Sequence, residues 1–415
     1  MFALLIVACA TSPSAPEGAS STPSAAGAPS ASSSAASSAA PAASSWPIPV
    51  QQVSPESVAW LKAQGWWPLK LGYFADVPAF SVHWAVMRED KLLEKRGLEV
   101  EYQSFNSGPP ILEAFLGGQT QVTHYGDFPF WTTVDKGVPA VAYAVTGVNN
   151  AVGLVVPTDS PFHSLDELRA ADHELVIGTT LGSYAEFYLR SIPGLHYRIA
   201  GMSMRDAQTI PAGVDAVAIW DPHLTFALGK GLGRQLDDVY PWYFPTGYEF
   251  ARREIHEHAP DVMQALADAS EEALLAVRAD PDRAAALYAA DPRARAWSQA
   301  DVRTQIDRYV VAYKPTYKYL DAAFWSAEDA RVVAAQFAAG RLSRARDAAD
   351  LQKDFAPQYL ADTFQRLGWA VPARPVFLPE GWAGTVGQPP YPATLHPGTL
   401  AAPQPFPEPG DLLPR

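Results

Sequence analysis

Short apolar runs alternate with segments of helical period between Leu69 and Trp131. The runs LKLGYF, LEVEYQSF and QVTHYGD have the length and composition of strands, and each ends at a turn of small or polar residues. This alternation predicts an α/β fold in which crossover helices connect the strands of a parallel sheet. Ligands of such open sheets bind at the carboxyl ends of the strands, because helix N-termini with unpaired N–H groups converge there.

The size and charge of the chain narrow the function classes. A chain of 415 residues, with 48% hydrophobic and 18% charged residues, can bury a substantial core. At about 100–200 residues per domain, it predicts roughly two lobes plus tails. The formal net charge of -13 argues against a nucleic-acid partner, because phosphate binding needs clustered Lys and Arg. A small anionic ligand stays compatible with this charge, since local N–H groups hold such ligands.

The chain starts with the apolar run MFALLIVACA, which closes on the only cysteine, Cys9. The residues IVAC resemble the lipobox of bacterial lipoproteins, in which the signal is cleaved before the cysteine and the thiol is lipidated. A buried or free cysteine is the structural alternative. The apolar run is too short to span a bilayer, for which about 20 apolar residues are needed. Residues 10–45 are almost entirely Ser, Ala, Pro, Gly and Thr, a composition that predicts a flexible tether.

Two turns that follow strands in the first half of the chain are candidate ligand contacts. Ser107 can cap the helix that Pro109 and Pro110 begin, and Gly108 allows a ligand to approach the backbone closely. Asp127, in the turn GDFP, can cap the next helix through its carboxylate or can meet a cationic group on a solute. At both turns the sequence is compatible with helix capping and with ligand contact.

Two further turns in the second half follow the same logic. The turn TTLGS, residues 179–183, joins a strand to a helix. Its N–H groups can cradle an oxyanion such as a sulfonate, or the turn can be an ordinary N-cap at Gly182 or Ser183. The turn WDP closes the strand VDAVAI, with Asp221 placed as an N-cap and Trp220 expected to face the opposing lobe.

Other motifs do not support a nucleotide site or a catalytic centre. The glycine-rich run GKGLG, residues 229–233, follows a helix and lacks the Lys-Ser/Thr ending of a phosphate loop. His256 and His258 point to different faces of a helix. An enzyme on a two-lobed scaffold would need a nucleophile with a base, or a metal set. The only cysteine lies in the leader, and neither HExxH nor CxxC occurs.

The order of several motifs resembles the substrate-binding proteins of nitrate/sulfonate/taurine ABC transporters. Between Leu69 and Ala279 these motifs are, in chain order, GY, LLEKRGLEVEY, SGPPILEAFLGGQTQV, YGDFP, VPTDSPFHSLDELR, VIGTTLGS and VDAVAIWDPHL. The resemblance implies a periplasmic-binding-protein type II fold, with two Rossmann-like lobes, a hinge and a ligand cleft between the lobes.

The predicted domains follow from this resemblance and from composition. They are a lipoprotein signal remnant (1–9), a disordered tether (10–45), the first lobe (46–157), the second lobe (158–242), a return to the first lobe with C-terminal helices (243–370) and a Pro-rich, extended or disordered tail (371–415).

The resemblance implies an extracytoplasmic solute receptor of an ABC importer and not an enzyme. The expected solute is a small sulfonate-, nitrate- or taurine-like anion or zwitterion, delivered to permease and ATPase subunits. We expect a monomer without cofactor or metal, held by its lipid at the periplasmic or extracellular face of the cell membrane. An aromatic or pyrimidine solute, such as a thiamine precursor, and an enzyme on the same scaffold are the alternatives. The candidate ligand-binding residues are Phe74, Ser107, Gly108, Asp127, Thr180, Gly182, Ser183, Trp220 and Asp221.

Overall fold

The computed structural model describes residues 48–105, 108–292, 294, 297–378, 382–389 and 391. Cys9, the tether and Ser107 lie outside the described residues, and so does most of the segment beyond 389. Among the described helices, none combines the length and the apolar character that a membrane crossing requires.

The regular elements alternate as the sequence predicts. The strands are β1 (Leu69–Phe74), β2 (Val100–Phe105), β3 (Val122–Gly126), β4 (Ala140–Val148), β5 (Val152–Pro157), β6 (Leu175–Thr179), β7 (Tyr197–Gly201), β8 (Ala216–Trp220), β9 (Gly233–Asp238) and β10 (Thr246–Arg252). The helices are α1 (Pro55–Ala63), α2 (Pro78–Glu89), α3 (Gly108–Leu116), α4 (Asp127–Asp135), α5 (Leu165–Arg169), α6 (Tyr184–Ser191), α7 (Met204–Ala207), α8 (His223–Gly229), α9 (Arg253–His258), α10 (Pro260–Ala279), α11 (Pro281–Ala290), α12 (Gln299–Ile306), α13 (Ala322–Ala338), α14 (Ala348–Leu351) and α15 (Gln358–Leu367). Short 3₁₀ turns lie at Glu94–Arg96, Pro315–Lys318 and Gln352–Asp354, and a π-helical turn at Asp307–Val311 follows α12.

In the described part of the chain, the strands form two five-stranded sheets, in the orders β2-β1-β3-β10-β4 and β7-β6-β8-β5-β9. β1 pairs in parallel with β2 and β3, and β6 pairs in parallel with β7 and β8. β10 runs antiparallel to β3 and β4, and β5 runs antiparallel to β8 and β9. The sheets are therefore mixed and not purely parallel. The α/β fold class is confirmed.

The antiparallel strands follow from the way in which the chain changes sheet. β4 and β9 each end at the carboxyl edge of their sheet, and residues 149–151 and 239–245 carry the chain to the other sheet. A strand that starts at this edge runs away from it, and so antiparallel to the strands that end there. The two crossings are joined, because Asn149 N–H donates to Pro245 O (2.8 Å) and Tyr240 Oη donates to Asn149 O (2.9 Å).

Two segments differ from the predicted domain plan. Residues up to 157 are predicted to belong to the first lobe, but β5 pairs within the second sheet, because the chain crosses before this strand. The tail predicted as extended or disordered has no helix or strand in its described residues, but it packs on the body. Phe377 and Tyr391 are buried, and Tyr391 N–H donates to Pro241 O (2.6 Å).

Candidate functional site

The carboxyl edges of the two sheets face each other across one aromatic side chain, Tyr184. An ideal Cβ on Gly126, at the end of β3, would lie 3.1 Å from Tyr184 Cδ1. On its other side, the Tyr184 ring lies 5.1 Å from the Trp220 ring, centroid to centroid, at the end of β8. We call the region where these edges meet the seam. The edges that end near Asp127 and Trp220 thus lie on the two sides of one seam.

Trp220 and Asn150 bring unpaired polar atoms to the seam. The Trp220 side chain is buried, its ring lies 6.4 Å from that of His223, and its Nε1 donor has no partner among the described residues. Asn150 Nδ2 donates to Tyr184 Oη (2.8 Å) and to Asp221 O (3.1 Å), whereas Asn150 Oδ1 has no described partner. A buried unpaired donor or acceptor costs about 1–3 kcal/mol, so these atoms mark a place where a bound solute would gain hydrogen bonds.

Asp221 is used entirely within the protein. Its Oδ1 accepts from Thr225 N (2.9 Å) and Thr225 Oγ1 (2.7 Å) in the first turn of α8, although the N-cap residue of that helix is Pro222 and not, as the sequence predicts, Asp221. Its Oδ2 accepts from Arg308 (2.9 Å) and from Tyr309 Oη (2.5 Å). In this conformation the carboxylate has a cationic partner of its own and is not presented to a solute.

Asp127 is likewise engaged at the first residue of α4. Its Oδ1 accepts from Phe128 N (2.6 Å), and its Oδ2 accepts from Tyr243 Oη. Burial, followed by the nearby Asp329 carboxyl, raises the pKa of Asp127 well above its ordinary value. A carboxyl with a raised pKa is a poor partner for an ammonium group. The capping role predicted for Asp127 is not seen either, because the N-cap residue of α4 is Gly126, which makes no side-chain cap hydrogen bond.

The turn at residues 180–183 holds its hydroxyl groups inward. Thr180 Oγ1 donates to Met202 O (2.9 Å), and Ser183 Oγ donates to Thr180 O (2.7 Å). Ser183 is the N-cap of α6, and its Oγ accepts from Glu186 N (3.4 Å). Gly182 takes a positive φ of 74°, and its N–H donates to Glu186 Oε2 (2.8 Å). The N–H that the sequence analysis offers to an oxyanion is bound to a carboxylate of the same helix.

The remaining candidates occupy different positions. Phe74 is buried at the end of β1, and its N–H donates to His124 Nε2 (3.3 Å). Gly108 begins α3 with open space around its Cα, which is compatible with close approach of another molecule.

Asp76 is a seam residue that the sequence analysis missed. It lies two residues beyond β1, and its carboxylate binds Arg205 (2.7 Å) and His223 Nε2 (3.0 Å) from the side of the second sheet. Trp297 Nε1 donates to Asp76 O (3.1 Å), and the Trp297 and His223 rings lie 5.0 Å apart. Its position just after a strand, like that of Asp127 after β3, was the signal that could have identified it.

Within the described residues, no group of three or more His, Cys, Asp or Glu side chains has an arrangement that could hold a metal ion. His256 Nδ1 forms a hydrogen bond with Tyr359 Oη (2.7 Å).

Comparisons with known proteins find relatives and solved structures that are similar to this chain. No family model matches the chain. In sequence it is 26% identical over 242 residues to a binding protein of Brucella abortus (strain 2308), an alignment that covers 54% of this chain and 70% of the relative. It is 29% identical over 185 residues to an aliphatic sulfonates-binding protein of Escherichia coli (strain K12), covering 41% of this chain and 54% of the relative.

Two solved structures share the fold. The periplasmic aliphatic sulphonate binding protein SsuA from Escherichia coli superposes with a TM-score of 0.56 at 21% identity, covering 70% of this chain and 92% of SsuA. The periplasmic nitrate-binding protein NrtA from Synechocystis PCC 6803 gives a TM-score of 0.57 at 16% identity, covering 74% and 90%. The resemblance predicted from the motif order is thereby confirmed, and the fold is that of periplasmic binding proteins.

Proposed function

We propose that this chain is the extracytoplasmic solute receptor of an ABC importer, holding a small solute in the seam and delivering it to a permease. The observation that carries the proposal is the juxtaposition at Tyr184, which touches the end of the first sheet at Gly126 and the end of the second at Trp220. Relatives and structural neighbours named as binding proteins for sulfonates and nitrate support a receptor over an enzyme.

Solute capture follows from the paired crossings and the unpaired atoms. Two adjacent crossing segments form a hinge about which the halves can close. A solute in the seam would accept from Trp220 Nε1, at the end of a strand of the second sheet, and donate to Asn150 Oδ1, in a crossing segment. A micromolar Kd corresponds to about -8 kcal/mol. Hydrogen bonds to a charged solute group contribute about 1.5–3 kcal/mol each, so a few of them and an aromatic wall are sufficient.

The solute that we propose is a small sulfonate-, nitrate- or taurine-like anion or zwitterion. Trp220 Nε1 suits its acidic group, and Asn150 Oδ1 suits an ammonium or hydroxyl donor.

A specific observation also favours the second candidate, a receptor for an aromatic solute such as a pyrimidine. The rings of Tyr184, Trp220, His223 and Trp297 follow one another at centroid distances of 5.1, 6.4 and 5.0 Å. Such a row of rings can stack on a planar solute.

We test the proposal with the conservative variant Trp220→Phe. Phenylalanine keeps an aromatic ring but lacks the N–H, so the Kd of the solute should rise about tenfold to a hundredfold through the loss of one hydrogen bond to a charged group. The solute is first identified by thermal shift against sulfonates, nitrate, taurine, aromatic acids and pyrimidines, and its Kd is then measured by calorimetry.

Trp66→Ala serves as the matched control, because the half-buried Trp66 packs against Trp60 outside the seam. This variant should bind the solute with the wild-type Kd. Two results would contradict the proposal: a panel in which no solute raises the melting temperature, or a Trp220→Phe variant with unchanged affinity. If only a pyrimidine stabilises the protein, the second candidate replaces the first.

We further propose that a lipid on Cys9 anchors a monomeric receptor to the outer face of the cell membrane through the tether of residues 10–45. Replacing Cys9 by serine should move the protein from the membrane fraction to the soluble fraction, because the thiol is the attachment point. Fractionation followed by immunoblotting measures the shift. Thr11→Ala, a change two residues further along the chain, is the control and should stay in the membrane fraction. Unchanged membrane association of Cys9→Ser would exclude this anchor.

A further inference from the structure

Glu186 is a fully buried carboxylate in the first turn of α6, surrounded by donors. Its Oε2 accepts from Gly182 N (2.8 Å) and from Arg341 (2.8 Å), and its Oε1 accepts from Arg190 Nε (2.9 Å) and from the second Arg341 nitrogen. Burial of the side chain opposes ionisation. The Arg341, Gly182 and Arg190 hydrogen bonds outweigh burial, and the pKa of Glu186 is lowered from its ordinary value.

One of these donors comes from across the seam. Arg341 follows α13, and its guanidinium lies 5.8 Å from the centroid of the Phe128 ring, in α4 of the first sheet's half. Phe128 in turn lies 6.3 Å from the ring of Phe187, the neighbour of Glu186 in α6. The Glu186 carboxylate is therefore held by groups from both halves of the protein.

This arrangement has the chemistry of a receptor for a compact oxyanion. A bidentate guanidinium, a second guanidinium and a backbone N–H at a helix N-terminus are the donors that carboxylate, nitrate and sulfonate groups bind best. In this chain the Glu186 carboxylate already takes those donors, with no exposed surface on its own side chain. A second anion would clash with the Glu186 carboxylate and would be repelled by its negative charge.

We propose that Glu186 is a specificity-determining residue, which keeps compact oxyanions out of the α6 end of the seam by binding their donors itself. The inference rests on the proposed function, because it assigns the solute to the seam. It also locates the recognition of the solute: its polar group must bind near Trp220 and Asn150 and not among the donors that surround Glu186. Bare nitrate and simple carboxylates are rejected at α6.

The test is to remove the internal carboxylate and supply one from solution. In Glu186→Ala, acetate can replace the missing side-chain carboxylate. The Kd of acetate should therefore be at least tenfold lower for this variant than for the wild type. Calorimetry gives the Kd, and melting curves in sodium acetate and sodium chloride at equal ionic strength and pH give an independent readout. Acetate should raise the melting temperature of Glu186→Ala and leave that of the wild type unchanged.

Two further variants define the site. Glu174→Ala removes a half-exposed glutamate from the same half of the protein and should show no acetate effect. The double variant Glu186→Ala/Arg341→Met lacks the bidentate donor and should lose the gain in acetate affinity. Equal acetate effects in Glu186→Ala and the wild type, or a gain that survives the loss of Arg341, would overturn the proposal.

If Glu186→Ala does not fold in chloride, its refolding yield in acetate replaces the melting temperature. A yield that acetate increases supports the proposal, and a yield that acetate leaves unchanged overturns it. The proposed function is tested separately, with the solute panel on the wild type. It fails if no solute stabilises the wild type, whatever acetate does to the Glu186→Ala variant.

Discussion

Replacing Lys318 by methionine should lower the free energy of unfolding by about 3–5 kcal/mol, because it leaves a buried carboxylate without its cation. Lys318 Nζ contacts Glu249 Oε1 and Ser270 Oγ, and the side chains of Lys318 and Glu249 are fully buried. The same Glu249 oxygen lies 2.7 Å from His83 Nε2. Urea unfolding at pH 8 measures the loss.

The Lys318→Met variant should lose less free energy of unfolding at pH 5 than at pH 8. In the wild type, burial and then the Lys318 charge lower the pKa of His83 to about 4. Without Lys318 that repulsion is gone, so His83 can take up a proton at pH 5 and supply the missing positive charge to Glu249. At pH 8 His83 is neutral, so the full loss of the free energy of unfolding is expected there.

Lys353→Met is the matched control, since Lys353 pairs with Asp350 at the surface with most of its side chain exposed. An exposed pair of this kind contributes about 1 kcal/mol at most. The double variant Glu249→Leu/Lys318→Met should recover part of the loss, because no unpaired charge remains. A Lys318→Met variant as stable as Lys353→Met would show that the buried cluster does not depend on its cation.

Asp329→Asn should change how stability depends on pH. Asp329 is fully buried in α13, and its Oδ2 accepts from Trp131 Nε1 (2.7 Å) and Tyr248 Oη (2.7 Å). Burial raises the pKa of Asp329 from 3.8 to about 8, against the opposing effect of those two hydrogen bonds. The folded protein thus binds this proton more tightly than the unfolded chain.

The sign of the effect follows from that pKa. The protonated carboxyl contributes stability that is fully present below pH 3.8 and is lost as the pH rises to about 8. The stability of the wild type relative to Asp329→Asn should therefore fall as the pH rises from 4 towards 8, by up to about 1.4 kcal/mol per pH unit. Urea unfolding at pH 5, 6, 7, 8 and 9 measures the difference.

Val333→Ala is the control for a general loss of packing in the same helix. Val333 is buried and does not titrate, so this variant should be less stable than the wild type by a similar amount at every pH. Parallel pH profiles for Asp329→Asn and the wild type would mean that the carboxyl is ionised in the folded protein across this range.

The helices and strands can be predicted from the sequence where a local pattern of residues determines them. The runs LKLGYF and LEVEYQSF became β1 and β2, and the run VDAVAI became β8. Hydrophobic periodicity and turn chemistry are properties of a few consecutive residues, and the order of the motifs supplied the rest of the fold. The exit to the second sheet was placed one strand too late, because an apolar strand has the same pattern in either sheet.

The candidate site was predicted less completely, because one residue type serves two roles at the same position. An aspartate after a strand, such as Asp221, can cap a helix or contact a solute. Only the tertiary structure shows that Arg308, 87 residues later in the chain, already neutralises its charge. The same holds for the turn before α6, where the N–H of Gly182 binds Glu186 of its own helix.

The sequence by itself determined the strands, the helices and the sheet edge at which the candidate site lies, because these follow from interactions between near neighbours. Only the tertiary structure decided which charges meet across the seam. Asp76 binds Arg205 across 129 positions and Glu186 binds Arg341 across 155, and such pairs depend on how the two sheets come together, which no local pattern encodes.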